Sequence, residues 1–168
     1  PIPYIAGALL IIILMSAINL IGIKEAAWFN TISTFIEFAG LLIIIVLGFK
    51  YVGSVNLLEL PNGIEGIFSS AALVFFAFLG FESIIKLAEE TKNPEKTIPK
   101  AILLSIVITS IVYVLVAISA VSVVGWQALS QSDAPLALVA ATALGGISGP
   151  ILAVIALFST ANTILLSL

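Results

Sequence analysis

Residues 98–124 read IPKAILLSIVITSIVYVLVAISAVSVV, a run of 27 residues in which Lys100 is the single charge. The hydrocarbon core of a bilayer, about 30 Å thick, is crossed by about 20 apolar residues in a helix. Strands are usually only 4–8 residues long, and membrane-barrel strands alternate polar with apolar residues, which this run does not. A helix also satisfies its own backbone groups in lipid. The stretch therefore predicts a membrane-spanning helix.

Four more runs of this kind lie at about 5–23, 28–49, 67–85 and 147–168. A shorter apolar stretch at about 134–144 predicts a short helix on the extracellular side, with Asp133 as its N-cap. The chain is 61% apolar and 9% charged, whereas soluble domains carry about 25% charged residues. We therefore predict an all-α membrane protein, with one membrane domain over residues 1–168 that contains five spans.

The composition also excludes several classes of function. The chain has no Cys and no His, so it offers no Ser/His/Asp or Cys/His catalytic arrangement and no thiolate zinc site. The glycine-rich segment at 145–149 lacks the spacing and the lysine of a phosphate-binding loop. We expect no enzyme, no cofactor and no metal. The net charge of −3 gives no reason to expect nucleic-acid binding.

The lysines are distributed unevenly over the connections between the predicted spans. Five of the six lie on one side, in the short connection at 24–27 and in the longer one at 86–100: Lys24, Lys86, Lys92, Lys96 and Lys100. Lys50 lies on the other side, which also carries Asp133. Because cytoplasmic loops are enriched in Lys and Arg, we expect the side with five lysines to be cytoplasmic in a multi-pass protein of the cell (plasma) membrane.

One stretch is specific beyond its hydropathy. Residues 71–102 read AALVFFAFLGFESIIKLAEETKNPEKTIPKAI, with an aromatic pair, a Gly-Phe-Glu triplet, Ala-Glu-Glu, Asn-Pro and Ile-Pro-Lys-Ala-Ile. This pattern resembles the sixth transmembrane helix, and its cytoplasmic link to the seventh, of permeases of the amino acid–polyamine–organocation (APC) superfamily. Residues 19–25, 133–136 and 159–163 resemble flanking segments of the same family. The resemblance implies helices four to eight of a LeuT-type transporter with a five-plus-five inverted repeat.

The resemblance implies secondary active transport of amino acids across the cytoplasmic membrane by alternating access, coupled to a proton or another cation, sodium included, or working by exchange. The chain begins Pro1-Ile2-Pro3 without Met and stops at Leu168 inside an apolar run, so we expect a piece whose partners include the remaining transmembrane helices and the lipid bilayer. Two alternatives stay open. One is a polyamine or organic-cation transporter of the same fold. The other is a non-transporting helical membrane subunit, which predicts an unbroken third span.

Gly80 lies inside the third predicted span, where glycine costs about 0.5–1 kcal/mol relative to alanine. It permits either close helix packing or a break at the membrane midplane. The resemblance implies the break. The backbone carbonyls of Phe76, Ala77 and Leu79 would then face the substrate ammonium group, and Phe81 would be an aromatic gate over the site.

Two carboxylates lie within predicted spans. Glu82 at such a depth costs roughly 2.5–3.5 kcal/mol if charged, and it either carries a coupling proton or pairs with Lys86 four residues on. Glu37 lies about 15 Å beyond the cytoplasmic turn, near the midplane. Many members of the family that the chain resembles have Lys at the matching position in helix five, whereas this chain has Glu. Glu37 is therefore predicted to be a proton carrier, a cation ligand or the counter-charge to a basic residue in the rest of the protein. Ser159 and Asn162 are predicted to line the same ion or substrate path.

Overall fold

The computed structural model describes residues 4–78, 80, 83–145 and 148–167, and all regular structure in these ranges is helical. The elements, in chain order, are α1 (Tyr4–Ile21), α2 (Ile23–Phe49), α3 (Gly63–Phe75), a 3₁₀ turn (Phe76–Phe78), α4 (Ser83–Lys86), a second 3₁₀ turn (Leu87–Glu90), α5 (Pro94–Ser130), α6 (Pro135–Leu144) and α7 (Ser148–Ser167). The prediction of an all-α chain is confirmed.

Three of the described helices, α2, α5 and α7, are long and apolar enough to cross a membrane by length and composition. The first and third predicted spans correspond to shorter apolar helices, α1 and α3 with its 3₁₀ turn. The count of five spans therefore stays a prediction.

Several helix boundaries differ from the predicted ones, because they depend on local backbone angles. The lysine-bearing connection at 24–27 lies inside the first turns of α2, and Gly22 alone separates α1 from α2. α5 begins at Pro94, after Asn93 in the left-handed region (φ 53°, ψ 58°). The N-cap prediction for Asp133 is wrong. Ala134 is the N-cap of α6, and its backbone N–H donates to Ser132 Oγ at 3.2 Å.

The interior is built around α2, which packs against α7 and α5, while α6 packs against α5 and α7. One buried cluster joins α2, α5 and α6 through Ile44, Ala120, Val139 and Ala140. A second joins α1 to α7 through Met15, Ala161 and Leu165. The helices that carry the polar residues discussed below are therefore held by packing on at least two neighbours.

Two glycines let α2 approach its neighbours closely. A methyl group added at Gly48 would overlap Ser119 Cβ on α5 and lie 2.7 Å from its Cα atom. One added at Gly40 would lie 2.9 Å from Ile155 Cδ1 on α7. The contact at Gly48 also lets Ser119 Oγ donate to the carbonyl oxygen of Ile45 at 3.3 Å. Such approaches are typical of helices that associate in lipid, where small residues at the contact replace the hydrophobic driving force.

The described part of the chain leaves many large apolar side chains on its outside. Leu20 and Leu58 are each 87% exposed, and Phe35 is 70% exposed. Water-soluble monomers rarely expose apolar surface on this scale. The arrangement suits a multi-pass protein whose outer surface meets lipid.

Candidate functional site

A carboxylate–amide pair joins the middle of α2 to α7. Asn162 Nδ2 donates a hydrogen bond to Glu37 Oε1 at 3.3 Å, between residues 125 positions apart in the sequence. Gly40 lies three residues after Glu37, so the close approach of Ile155 to it brings the two helices together beside the pair. Residues three or four apart share a helix face.

The pair contains an acceptor without a donor. Asn162 is 6% exposed, and no described group donates a hydrogen bond to its Oδ1. A buried acceptor left unsatisfied costs about 1–3 kcal/mol. Asn162 Oδ1 is an oxygen acceptor in the same interhelical contact as the Glu37 carboxylate. A further hydrogen-bond donor or a small cation would satisfy Asn162 Oδ1.

A cavity of about 790 Å³ lies between α2, α6 and α7, and Glu37 lines it. Ser148 and Ser159 are further polar groups of its wall, which is otherwise mostly apolar and includes Leu41 and Leu152. Ser159 precedes Asn162 by three residues, and its backbone carbonyl accepts a hydrogen bond from Thr163 Oγ1 at 2.9 Å. The structure thus brings together three of the four residues predicted to act in coupling: Glu37, Ser159 and Asn162. The fourth, Glu82, lies outside the described residues.

The third predicted span changes conformation at its middle. The α-helix ends at Phe75 and tightens into the 3₁₀ turn of Phe76–Phe78, and the next helix begins at Ser83. Gly80 lies between them with φ +106°, a value that residues other than glycine rarely adopt. Of the predicted substrate-binding residues, Leu79 and Phe81 lie outside the described residues. Phe76 is 68% exposed.

Tyr113 on α5 holds the first part of this interruption. Its Oη donates a hydrogen bond to the carbonyl oxygen of Ala77 at 3.1 Å. Its ring also meets that of Phe78 edge-on, with centroids 5.5 Å apart at 68°. Sequence reasoning did not single out Tyr113. The sequence feature that could have identified Tyr113 is a tyrosine inside an aliphatic run. A Tyr hydroxyl in apolar surroundings usually has a hydrogen-bond partner.

The two groups of predicted site residues stay apart in the described part of the fold. No extensive packing there joins α3 to α2 or to α7. The interruption after Phe75 instead packs on α5 through Tyr113. The carboxylate–amide pair and the helix interruption are therefore separate features, and each has its own supporting contacts.

Residues 1–168 match the protein family described as "Amino acid permease". The branched-chain amino acid permease BcaP of Bacillus subtilis (strain 168) is 37% identical over 133 residues, which are 79% of this chain and 29% of that protein. The methylthioribose transporter of the same organism is 34% identical over 127 residues, 75% of this chain and 28% of the relative.

A plant relative adds a third substrate name. Cationic amino acid transporter 1 of Arabidopsis thaliana is 35% identical over 133 residues, 79% of this chain and 22% of that protein. The chain therefore spans less than a third of the length of each of these relatives. By name, one of the three is a permease and two are transporters, and none is an enzyme.

Proposed function

The chain belongs to the amino acid permease family of the APC superfamily, and from that premise we propose that it forms part of a secondary transporter that moves amino acids across the cell membrane. Its helices would be the fourth to the eighth of a five-plus-five inverted repeat, and access to the site would alternate by movement around the interruption at Gly80. The family match over residues 1–168 is the observation that carries this proposal.

The helix interruption supports transport over a purely structural role. A non-transporting membrane subunit needs no break in an apolar helix, and a break leaves backbone carbonyls without helical partners. In transporters, such carbonyls line the substrate path near the midplane. The carbonyls of Phe76, Ala77 and Leu79, with Gly80 providing the turn and Phe81 the gate, would receive the substrate ammonium group.

Coupling would depend on the carboxylate–amide pair. Glu37 would take up a proton or contact a cation, and the unsatisfied Asn162 Oδ1 would be the second oxygen ligand or would accept the new O–H. Ser159, on the wall of the same cavity, would supply a hydroxyl to the same path. Glu82 would be a second proton-titratable group at the inner end of the interruption.

The substrate class is tested by uptake into proteoliposomes that contain the full-length protein. We expect labelled amino acids to accumulate when a proton or sodium gradient is applied, and a competition panel to rank apolar against cationic amino acids. Methylthioribose belongs in the panel because one relative is named for it. If polyamines alone compete, the proposed substrate is an organic cation and not an amino acid. Absence of any gradient-driven accumulation would contradict secondary active transport.

The orientation is a separate proposal, with Lys24 and the 86–100 connection in the cytoplasm and Lys50 outside. Single cysteines at Lys24 and Lys50 test it, since this chain has no cysteine of its own. In intact cells a membrane-impermeant thiol reagent should modify Lys50→Cys and spare Lys24→Cys. The opposite pattern would invert the topology.

A further inference from the structure

A second cavity lies at the opposite end of the helices from the lysine-rich connections. It has a volume of about 540 Å³, opens to the outside, and is bordered by the connection at 50–62, the start of α3 and the last third of α5. We name it the Trp126 cavity. Its inner wall is apolar, with Ile67 from α3 and Ile118 and Val121 from α5. Its volume lies within the range of about 300–1,000 Å³ that is usual for small-molecule sites.

The polar part of the Trp126 cavity is a tryptophan–carboxylate pair. Trp126 Nε1 donates a hydrogen bond to Glu59 Oε2 at 3.2 Å. Because the indole N–H lies in the plane of the ring, this bond holds the carboxylate at the ring edge and does not use the ring faces. A carboxylate accepts several hydrogen bonds, so the pair presents an anion beside an aromatic face.

The backbone around the pair is positioned by specific contacts. Gly125 takes φ 79° and ψ 155°, which interrupts α5 one residue before Trp126 and redirects the chain there. The facing connection is tied to α5 by Ser54 Oγ, which donates to the carbonyl oxygen of Ser122 at 2.7 Å. Asn56 Oδ1 accepts the backbone N–H of Leu58 at 3.1 Å, so the segment before Glu59 is folded on itself. These contacts connect the walls of the cavity to one another.

We propose that the Trp126 cavity binds an organic amine that carries an apolar chain. The ammonium group lies against the Glu59 carboxylate and the indole face of Trp126, where cation–π attraction adds to charge pairing. The apolar chain lies on Ile67, Ile118 and Val121. An anion of the same shape is excluded because it would meet the Glu59 charge.

The charges on this end of the chain favour the same class of ligand. The connection at 50–62 and the first turn of α3 carry Glu59 and Glu65 with one lysine, Lys50, and the next connection at this end adds Asp133. The excess of negative charge raises the local concentration of cations. This site lies on other residues than Glu37 and Gly80, so the proposal does not depend on transport.

The test uses the full-length protein with any cysteines elsewhere in it replaced. Ser70 lies on the cavity wall, and Ser70→Cys places a thiol there. The rate at which methyl methanethiosulfonate modifies that thiol is measured in the presence of phenethylamine. It is measured again in the presence of phenylacetate, an anion of matched shape. Ser130→Cys, near the same end of α5 but not on the cavity wall, is the control. We expect phenethylamine to slow modification of Ser70→Cys several-fold, and to leave Ser130→Cys unchanged.

Variants identify the groups responsible. Glu59→Gln and Trp126→Ala should each raise the half-protecting concentration of phenethylamine about tenfold, as expected for loss of one charge-assisted or cation–π contact. Trp126→Phe, which keeps an aromatic face, should lose less. Equal protection by phenylacetate, no protection at all, or protection that Glu59→Gln leaves intact would overturn the proposal.

Calorimetric titration of the protein without substitutions provides a second measurement that does not depend on any cysteine variant. Titration with phenethylamine should give a heat of binding that saturates, and titration with phenylacetate should give none. Binding that Glu37→Gln removes and Glu59→Gln retains would place the amine in the proposed transport path and would overturn this assignment. Amine binding without any amino acid uptake would contradict the proposed function and leave the Trp126 cavity supported.

Discussion

Asn162 donates to the Glu37 carboxylate across 3.3 Å, while its own Oδ1 is buried and receives no hydrogen bond from the described residues. The bond joins the middle of α2 to α7 and leaves one buried acceptor, Asn162 Oδ1, which a further donor or a cation would satisfy.

The first prediction concerns this pair. Glu37→Gln keeps the size of the side chain but removes its charge and its affinity for a proton. In proteoliposomes we expect gradient-driven amino acid accumulation to fall at least tenfold, while exchange of internal for external substrate continues. Glu25→Gln, an exposed carboxylate in the first turn of the same helix, is the matched control and should retain accumulation. Full concentrative uptake by Glu37→Gln would contradict a coupling role.

The second prediction concerns the interruption of the third predicted span. Gly80→Ala places a methyl group on a backbone with φ +106°, at a cost of about 1–3 kcal/mol for a non-glycine residue in a sparsely populated region. We expect uptake to fall more than tenfold with protein still present in the membrane. Gly7→Ala, within α1 and with open space around its Cα, should leave uptake unchanged. Normal uptake by Gly80→Ala would mean that the interruption is not needed.

The third prediction isolates the Tyr113 hydroxyl. Tyr113→Phe removes the hydrogen bond to the Ala77 carbonyl and keeps the ring that meets Phe78. Because such a bond contributes about 0.5–1.5 kcal/mol, we expect KM for the amino acid to rise about 2- to 10-fold with a smaller change in kcat. Tyr113→Leu should cost more, since it also removes the edge-on ring contact.

Ser105→Ala is the control for Tyr113 on the same helix, because its hydroxyl bonds only within α5, to the carbonyl of Ala101. Equal KM values for Tyr113→Phe and the unsubstituted protein would show that this hydroxyl does not position the interruption.

The fourth prediction concerns stability. Gly48→Ala forces a methyl group into Ser119, and over-packing of this kind typically costs about 1–3 kcal/mol. We expect a lower midpoint of thermal unfolding. The midpoint is measured by size-exclusion chromatography of protein heated in detergent. The double variant with Ser119→Gly should recover only part of the loss, because it removes the overlapping Cβ but leaves the Cα atom 2.7 Å from the added methyl group. A midpoint that Gly48→Ala leaves unchanged would mean that α2 and α5 can separate freely there.

The all-α fold could be predicted from the sequence, because a run of about 20 apolar residues can cross lipid as a helix with its own backbone groups satisfied. Sequence reasoning also singled out Glu37, Ser159 and Asn162, because polar groups inside apolar runs are rare, and their role in coupling stays a prediction. It missed Tyr113, whose hydroxyl acquires a role only through a carbonyl 36 positions away. It misassigned Asp133 as a cap, because the start of a helix depends on backbone angles that the residue type only favours.

The sequence by itself determined that this protein is helical, is built for a membrane and belongs among amino acid permeases, because hydropathy and the motif at 71–102 are local properties of the chain. Only the tertiary structure decided that Glu37 meets Asn162, that Tyr113 holds the Ala77 carbonyl, and that Trp126 faces Glu59. These contacts join residues 36 to 125 positions apart, and the close approach of α2 and α7 at Gly40 lies beside the longest-range of them. That packing depends on side-chain shape across two helices, which no single segment of sequence specifies.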